Sequence, residues 1–243
     1  MLCNGKKSIA IAGTHGKTTV SAMIANVLKK CGFSVNAFVG GIMTEFNSNV
    51  IIDAEAEWVL VEADEYDRSF LRLYPDIAVV NAIDADHLDI YGTKLDHEHA
   101  FYEFMQQCKD PFSIIVNAGI KPEVITMPNM AVSFSAKEEA VIQAVNIRVE
   151  DGEFTFDVLK AGSRFIEKAV MPLPGRHNVE NALAAIAVAD KLGIEADMIS
   201  TALADFKGVK RRLEKIYDSN GKVLYDDYAH HPEEIKVLIE AIK

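Results

Sequence analysis

Short apolar runs along this chain alternate with longer stretches in which apolar residues recur every three or four positions. The short runs predict buried strands at Ser8–Ala12, Ile51–Ile52, Trp58–Val61 and Ile77–Val80, and further strands at Phe33–Val39, Ser113–Val116 and Lys222–Tyr225. The longer stretches predict helices at Lys17–Lys30, His99–Cys108, His177–Leu192, Glu195–Phe206 and Pro232–Ile242. Strands and helices that alternate in this way are typical of an α/β fold with a mostly parallel sheet flanked by helices.

A different pattern begins at Met130. Val145–Val149 and Phe154–Val158 alternate apolar and polar residues on either side of Asp151-Gly152, which predicts a β-hairpin. Ser163–Met171 predicts a third antiparallel strand. We therefore expect an antiparallel β-meander appended to the parallel sheet.

The first predicted strand runs into a glycine-bounded turn and then into the first helix. The turn has the sequence Gly13-Thr14-His15-Gly16-Lys17-Thr18-Thr19. Backbone N–H groups at a helix N-terminus bind anions, a lysine there reaches terminal phosphates, and the next hydroxyl can hold Mg²⁺. Ile11 stands where the usual phosphate-loop pattern has its first glycine, so the loop is a shorter variant. We predict a P-loop-type nucleotide site; the alternative is an ordinary turn that contains glycines.

Two further strands are followed by polar segments that could bind a metal. Glu62 opens an acidic segment directly after one buried strand, and His87 lies among aspartates after another. Ligands of open α/β sheets bind outside the carboxyl ends of the strands, so we expect both residues near Lys17. Because Mg²⁺ prefers hydroxyl and carboxylate oxygens, Thr18 and Glu62 are candidate ligands. The alternative for Glu62 is a solvated acidic loop, and the alternative for His87 is an ordinary surface or core histidine.

Later segments contain side chains suited to a nucleotide or a substrate. Asn178 and Asn181 are three residues apart at a helix start, so their amides share a face; the alternative is that Asn178 caps the helix. Lys210-Arg211-Arg212 forms a basic linker, which is either solvated or a nucleotide contact. The block Tyr225–Pro232 combines acids, rings and imidazoles before a helix, which favours a substrate or nucleotide contact.

Composition limits the partners of this chain. Its 243 residues are 49% hydrophobic and 25% charged, which is typical of soluble globular proteins. The net charge of -11 argues against a nucleic-acid partner. Cys3, Cys31 and Cys108 show no disulfide or metal spacing, so we expect reduced thiols in a cytoplasmic protein. No apolar run is long enough to predict a membrane span. Since the first strand begins so early, we expect that an upstream segment is missing.

Several motifs, taken in order, resemble those of the Mur ligases. They are Gly13–Thr19, Glu62–Glu65, Asp84–Asp89, Pro174–Asn178 with Asn181, Arg211-Arg212 and Asp226–Pro232, so the resemblance extends from about residue 8 to the end. Mur ligases have three domains, and the resemblance implies a central ATP-binding domain at 1–207. Residues 208–243 would be a linker and the start of a C-terminal ligase domain, and such a fragment is expected to be inactive alone. Asn117-Ala118-Gly119 departs from the Asn-x-Asp of many relatives.

The resemblance also implies roles for individual residues. Around ATP it places Gly13, Thr14, His15, Gly16, Lys17, Thr18 and Thr19 at the phosphates, Asn178 and Asn181 against the adenine and its neighbourhood, and Arg212 and Asp227 on the nucleotide. For the remaining ligands it places Thr18 and Glu62 on one Mg²⁺, His87 on a second Mg²⁺, and Tyr228 and His230 facing the incoming amino acid. Lys17 and His87 would thus be the catalytic residues.

The implied reaction is ATP-dependent amide formation between UDP-N-acetylmuramate and L-alanine through an acyl phosphate, in peptidoglycan precursor synthesis. Within the family, a ligase that recycles murein tripeptide shares several of these motifs and is the near alternative. An alternative from another class is a P-loop nucleotide-binding module without ligase activity. The oligomeric state stays open.

Overall fold

The computed structural model describes residues 5–84, 88–121, 130–150, 152–230 and 232–241. In this part of the chain, one mixed sheet contains ten strands in the order β10-β9-β8-β7-β6-β5-β1-β4-β2-β3. The first six are β1 Lys7–Ala12, β2 Val35–Met43, β3 Ser48–Ile51, β4 Trp58–Glu62, β5 Ile77–Val80 and β6 Ile114–Asn117. The next four are β7 Val132–Ser135, β8 Ile142–Glu150, β9 Glu153–Lys160 and β10 Ser163–Met171.

The centre of the sheet is parallel, as the sequence predicts. β1 pairs in parallel with β4 on one side and with β5 on the other, and the parallel pairing continues through β6 and β7 to β8. The carboxyl ends of these strands therefore meet at one edge. The predicted meander is confirmed, since β8, β9 and β10 pair antiparallel with one another.

Helices cover both faces of this sheet. On one face lie α1 Lys17–Lys30, α4 Arg176–Lys191 and α5 Ala196–Ala204, and on the other lies α3 Lys94–Gln106. The other helices are α2 Leu88–Tyr91 and α6 Pro232–Ala241, with 3₁₀ turns at Ser69–Arg72 and Pro111–Ser113. Alternation along β1 shows why two layers form: Ile9 and Ile11 join the core that contains α1, α4 and α5, whereas Ala10 and Ala12 join the core that contains α3. The structure thus confirms the α/β fold with helices on both sides of the sheet.

Several element boundaries differ from the sequence prediction. β2 does not end at Val39, as predicted, but continues through Gly40 and Gly41 to Met43. β3 pairs antiparallel with β2 at the sheet edge and ends before Ile52, which is 69% exposed, so it is not the buried parallel strand predicted there. α3 begins at Lys94, earlier than predicted, because Thr93 accepts a hydrogen bond from the Asp96 backbone N–H as its N-cap.

The segment after α5 is more ordered than a solvated linker. Phe206 and Val209 are buried, and Val209 forms an isolated antiparallel bridge to Met43 at the end of β2. Beyond it, β11 Glu214–Ser219 and β12 Lys222–Asp226 form a separate two-stranded antiparallel sheet before α6. In the part of the chain that the structure describes, no helix is long and apolar enough to cross a membrane.

Candidate nucleotide and magnesium site

Two glycines with positive φ shape the loop between β1 and α1. Gly13 has a φ of 143° and Gly16 a φ of 81°, which disfavour residues with a Cβ. A Cβ on Gly16 would also collide with the side-chain amides of Asn81 and Asn181, so a larger residue there would displace them. Gly16 is the N-cap position of α1, and no side chain caps that helix end. The loop thus presents backbone N–H groups at a helix start, which suits an anion.

The loop is fastened to the end of β5. The Thr14 backbone N–H donates to Ala82 O at 3.1 Å, and the Thr14 hydroxyl accepts from the Asp84 N–H at 3.2 Å. His15 Nε2 lies 3.6 Å from Asp84 Oδ2. These contacts bring the loop and the β5 end together, as the carboxyl-edge argument predicts. His87, which follows a few residues later, lies outside the described residues.

Lys17 is held at the base of the loop by a buried acid. Its Nζ donates to Gly13 O at 2.8 Å and to the two carboxylate oxygens of Glu65 at 2.7 and 2.8 Å. Glu65 is completely buried, and the Lys17 side chain is 17% exposed. Burial raises the pKa of the Glu65 carboxyl, and the neighbouring Lys17 ammonium opposes that rise. A lysine this close to the loop can meet the terminal phosphates of a nucleotide.

Thr18 and Glu62 form the candidate metal pair. The Thr18 hydroxyl donates to Glu62 Oε2 at 3.2 Å, and the Gly40 backbone N–H donates to Glu62 Oε1. A Cβ on Gly40 would lie 2.8 and 2.9 Å from the Glu62 oxygens, so the glycine in β2 makes room for the carboxylate. Burial raises the pKa of Glu62, opposed chiefly by the Gly40 N–H and the Thr18 hydroxyl.

This pair fits the chemistry of Mg²⁺, which takes a protein hydroxyl, a carboxylate, phosphate oxygens and waters. Within the described ranges, no group of three or more His, Cys, Asp or Glu side chains is placed to hold a metal by itself. Phosphate oxygens of a nucleotide would therefore supply much of the coordination. Mg²⁺ commonly keeps only one or two carboxylates from the protein, so this sparse donor set is consistent with it.

A chain of side-chain amides joins the loop to α4. Asn81 Nδ2 donates to His15 O at 3.0 Å and to Asn181 Oδ1 at 3.2 Å. Asn181 Nδ2 donates to Asn178 Oδ1 at 3.2 Å, and Asn178 Nδ2 donates to Pro174 O at 2.7 Å. The asparagines of α4 are thus linked to the phosphate loop through Asn81. Their predicted position against the adenine stays a prediction. Asn178 does not cap the helix, because Gly175 holds the N-cap position and Asn178 lies within the first turn.

The segment after the basic linker reaches the same region. Asp227 accepts from the backbone N–H groups of Leu213 and Ala229, each at 2.7 Å, which fixes the carboxylate. The Arg212 guanidinium lies 5.7 Å from the centre of the Tyr228 ring. The rings of Tyr228 and His230 lie 5.1 Å apart. Burial lowers the pKa of His177, and the charge of Asp227 opposes that shift.

One cavity of about 460 Å³ collects most of the predicted nucleotide residues. From the prediction, its lining includes Thr14, His15, Gly16, Lys17, Thr18, Thr19, Asn178, Asn181, Arg212 and Asp227. Glu62 adjoins this lining through Thr18. Tyr228 and His230, among the described residues, lie outside the lining and closer to the solvent. A site that spans the loop, α4 and the C-terminal segment is large enough for a small ligand.

Comparison with known proteins identifies the family. The model of the Mur ligase middle domain matches residues 11–189, which include the loop, the Thr18–Glu62 pair and the start of α4. This chain belongs to the Mur ligase family. The match begins near the end of β1, covers the other strands of the sheet and ends within α4.

Individual Mur ligases resemble the chain over nearly all of its length. A UDP-N-acetylmuramate–L-alanine ligase of Flavobacterium johnsoniae is 43% identical over 236 residues, which are 97% of this chain and 51% of that protein. The solved UDP-N-acetylmuramate-alanine ligase of Thermotoga maritima has a TM-score of 0.85 at 31% identity, over 98% of this chain and 54% of the other. A solved UDP-N-acetylmuramate:L-alanyl-gamma-D-glutamyl-meso-diaminopimelate ligase from Neisseria meningitides has a TM-score of 0.74 at 28% identity, over 86% and 69%. The chain spans about half the length of the curated relatives it matches.

Sequence reasoning did not assign three polar residues of this Mur ligase site. Glu65 lies in the acidic segment that Glu62 opens, but its pairing with Lys17 depends on the return of the chain after β4. Asn81 directly follows a buried strand, which is where candidate site residues are expected. Its role nevertheless depends on a hydrogen bond to Asn181, one hundred residues away. Glu180 lies between the two predicted asparagines of α4, and the helical pattern alone did not distinguish it.

Proposed function

We propose that the protein containing this chain is an ATP-dependent ligase of the cytoplasm that joins L-alanine to UDP-N-acetylmuramate in peptidoglycan precursor synthesis. The names of the most similar relatives support this substrate pair. The observation that carries the proposal is the placement of Lys17, Thr18 and Glu62 around one loop at the start of α1. This chain would supply the ATP and Mg²⁺ site and be inactive alone.

Amide formation from a carboxylate and an amine in water needs an activated carboxylate. In the proposed reaction, a carboxylate oxygen of the sugar attacks the γ-phosphorus of ATP, and the bond to ADP breaks. The alanine nitrogen then attacks the carbonyl carbon of the acyl phosphate, inorganic phosphate leaves, and the nitrogen loses its proton. Protein contributions to phosphoryl transfer are mainly positioning and neutralisation of charge.

The residues of this chain divide these tasks. Backbone N–H groups of the loop and the Lys17 ammonium would bind the β- and γ-phosphates, since both lie at the start of α1. Thr18 and Glu62 would hold Mg²⁺, which neutralises charge on the phosphate oxygens when bound. Asn81 keeps the loop against α4 and so orients these groups.

The remaining assignments stay proposals from the family resemblance. They place His87 on a second Mg²⁺, Asn178 and Asn181 in the neighbourhood of the adenine, Arg212 and Asp227 on the nucleotide, and Tyr228 and His230 facing alanine. Tyr228 and His230 lie beside the cavity and outside its lining, and this position suits an amino acid that the C-terminal domain delivers. Asn178 and Asn181 already bond to each other and to the protein, so any ligand contact would use the remaining N–H or carbonyl lone pair of each amide.

The test is alanine-dependent phosphate release by the full-length protein. We expect Lys17→Ala and His87→Ala to abolish release, because each removes a proposed contact to the terminal phosphates or their metal. Lys215→Ala is the matched control, since Lys215 pairs with Asp218 on the exposed two-stranded sheet. Turnover that requires a murein tripeptide in place of L-alanine would identify the recycling ligase instead. ATP binding without phosphate release on any such substrate would favour a nucleotide-binding module.

A further inference from the structure

The cavity continues past the phosphate loop towards the ends of β6 and β7. Its far wall contains Asn117 at the end of β6, Lys137 just after β7, and Glu180 on α4. β6 is two strands and β7 three strands away from β1, which at ~4.8 Å per strand gives roughly 10 to 14 Å. A nucleotide with its terminal phosphates at Lys17 has room to extend its nucleoside towards this wall.

Glu180 has hydrogen-bonding capacity that the protein does not fill. Asn117 Nδ2 lies 3.5 Å from Oε2, and the Ser135 hydroxyl lies 3.4 Å from Oε1, both at the limit of a hydrogen bond. A carboxylate accepts about four hydrogen bonds. Burial raises the pKa of Glu180, and the Ala136 backbone N–H and the Lys137 charge oppose the rise. Asn117, Ser135 and the Ala136 backbone N–H thus fill about three of these acceptor positions, and a ligand donor would fill the remaining one.

Asn181, the next residue of α4, also lines the cavity, and its side chain reaches the phosphate loop. Asn181 Oδ1 would lie 2.9 Å from a Cβ on Gly16, so this amide adjoins the phosphate loop. Glu180 instead contacts residues at the ends of β6 and β7. Successive residues of a helix point in different directions, so side chains from the first turns of α4 line both ends of the cavity. Glu180 borders the end of the cavity at β6 and β7, away from Lys17.

We propose that Glu180 selects adenine nucleotides by accepting a hydrogen bond from the exocyclic amino group of the base. The inference rests on the proposed function, because it requires terminal phosphates at Lys17. Ribose hydroxyls are the other donors of the nucleoside. The base is the better candidate, since it is farthest from the phosphates and the wall lies at the far end of the cavity.

Calorimetric titrations of this chain with Mg²⁺ and three nucleotides test the proposal: ATP, purine riboside triphosphate, which lacks only the amino group, and 2′-deoxy-ATP. We expect the native chain to prefer ATP over purine riboside triphosphate by about tenfold, the effect of one hydrogen bond to a charged group. Glu180→Met should reduce this preference to within about twofold and leave the affinity for purine riboside triphosphate unchanged. Glu138→Met, which removes an exposed carboxylate paired with Lys121, is the matched control and should keep the native preference.

The outcomes separate the inference from the function on which it rests. A tenfold preference that survives in Glu180→Met would overturn the inference alone. Loss of discrimination against 2′-deoxy-ATP in place of purine riboside triphosphate would show that the carboxylate binds the ribose, and would also overturn it. Failure of the native chain to bind any of the three nucleotides would overturn the proposed function and this inference together.

Discussion

The buried pair of Lys17 and Glu65 makes a prediction that separates folding from ligand binding. Lys17→Met keeps an unbranched side chain at the start of α1 but leaves the Glu65 carboxylate buried without its cation. Removal of one partner of a buried ion pair costs roughly 3 to 5 kcal/mol. Because Lys17 is 17% exposed, we expect the lower end, a loss of about 3 kcal/mol in the free energy of unfolding at neutral pH.

The double variant Lys17→Met/Glu65→Gln should recover most of this loss. It removes the uncompensated charge, so its free energy of unfolding should lie within about 1 kcal/mol of the native value. It should nevertheless fail to bind ATP, because the cation for the terminal phosphates is absent. Recovery of stability without recovery of binding would show that Glu65 acts on the fold through Lys17.

Urea unfolding followed by the fluorescence of Trp58, the single tryptophan, measures these differences. In Lys17→Met, Glu65 loses the charge that opposes its raised pKa, so that pKa rises further. The deficit should then be largest at neutral pH and shrink as the pH falls towards 4.5, the ordinary value, because the carboxyl becomes neutral. A native-like Lys17→Met at neutral pH, or a double variant no more stable than the single one, would refute the reasoning.

Three further predictions concern two glycines and the half-buried carboxyl of Glu180. Gly16→Ala should abolish ATP binding measured by calorimetry, whereas Gly32→Ala, also at positive φ but with open space around it, should cost about 1 kcal/mol of stability and keep binding. Gly40→Ala should weaken the Mg²⁺ dependence of binding about tenfold, because its Cβ would displace the Glu62 carboxylate; an unchanged dependence would contradict the metal assignment. The pKa of Glu180 is raised above its ordinary value of 4.5, so its neutral carboxyl contributes stability at pH values below 4.5. That contribution is lost as the pH rises through the raised pKa. Urea unfolding of Glu180→Gln should thus show a gain over the native chain that grows with pH, and a pH-independent difference would count against it.

Local patterns predicted the elements that carry the phosphate site. α1 begins at Lys17 and ends at Lys30, as its apolar spacing and the following glycine indicated. Asp151-Gly152 between two alternating segments was sufficient to predict the β8–β9 hairpin. These features depend on residues close together in the chain, which is why the sequence contains enough information for them.

Long-range contacts explain what the sequence did not predict. Gly40 lies inside β2, beyond the predicted end of that strand at Val39. Its missing side chain leaves the space that the Glu62 carboxylate of the neighbouring β4 occupies. β7 is a short strand of mixed polarity, stabilised by parallel pairing with β6 and β8, and it was missed for that reason. Glu65 and Asn81 acquire their roles from partners 48 and 100 residues away.

The central claim is that one loop, with Lys17, Thr18 and Glu62 around it, binds the terminal phosphates of a nucleotide together with Mg²⁺. Calorimetric titration of a non-hydrolysable ATP analogue into this chain, with Mg²⁺ and then with EDTA, tests it most directly. We predict one site per chain and an affinity about tenfold higher with Mg²⁺, a difference of ~1.4 kcal/mol. Binding of equal strength in Mg²⁺ and EDTA, or no binding at all, would contradict the claim.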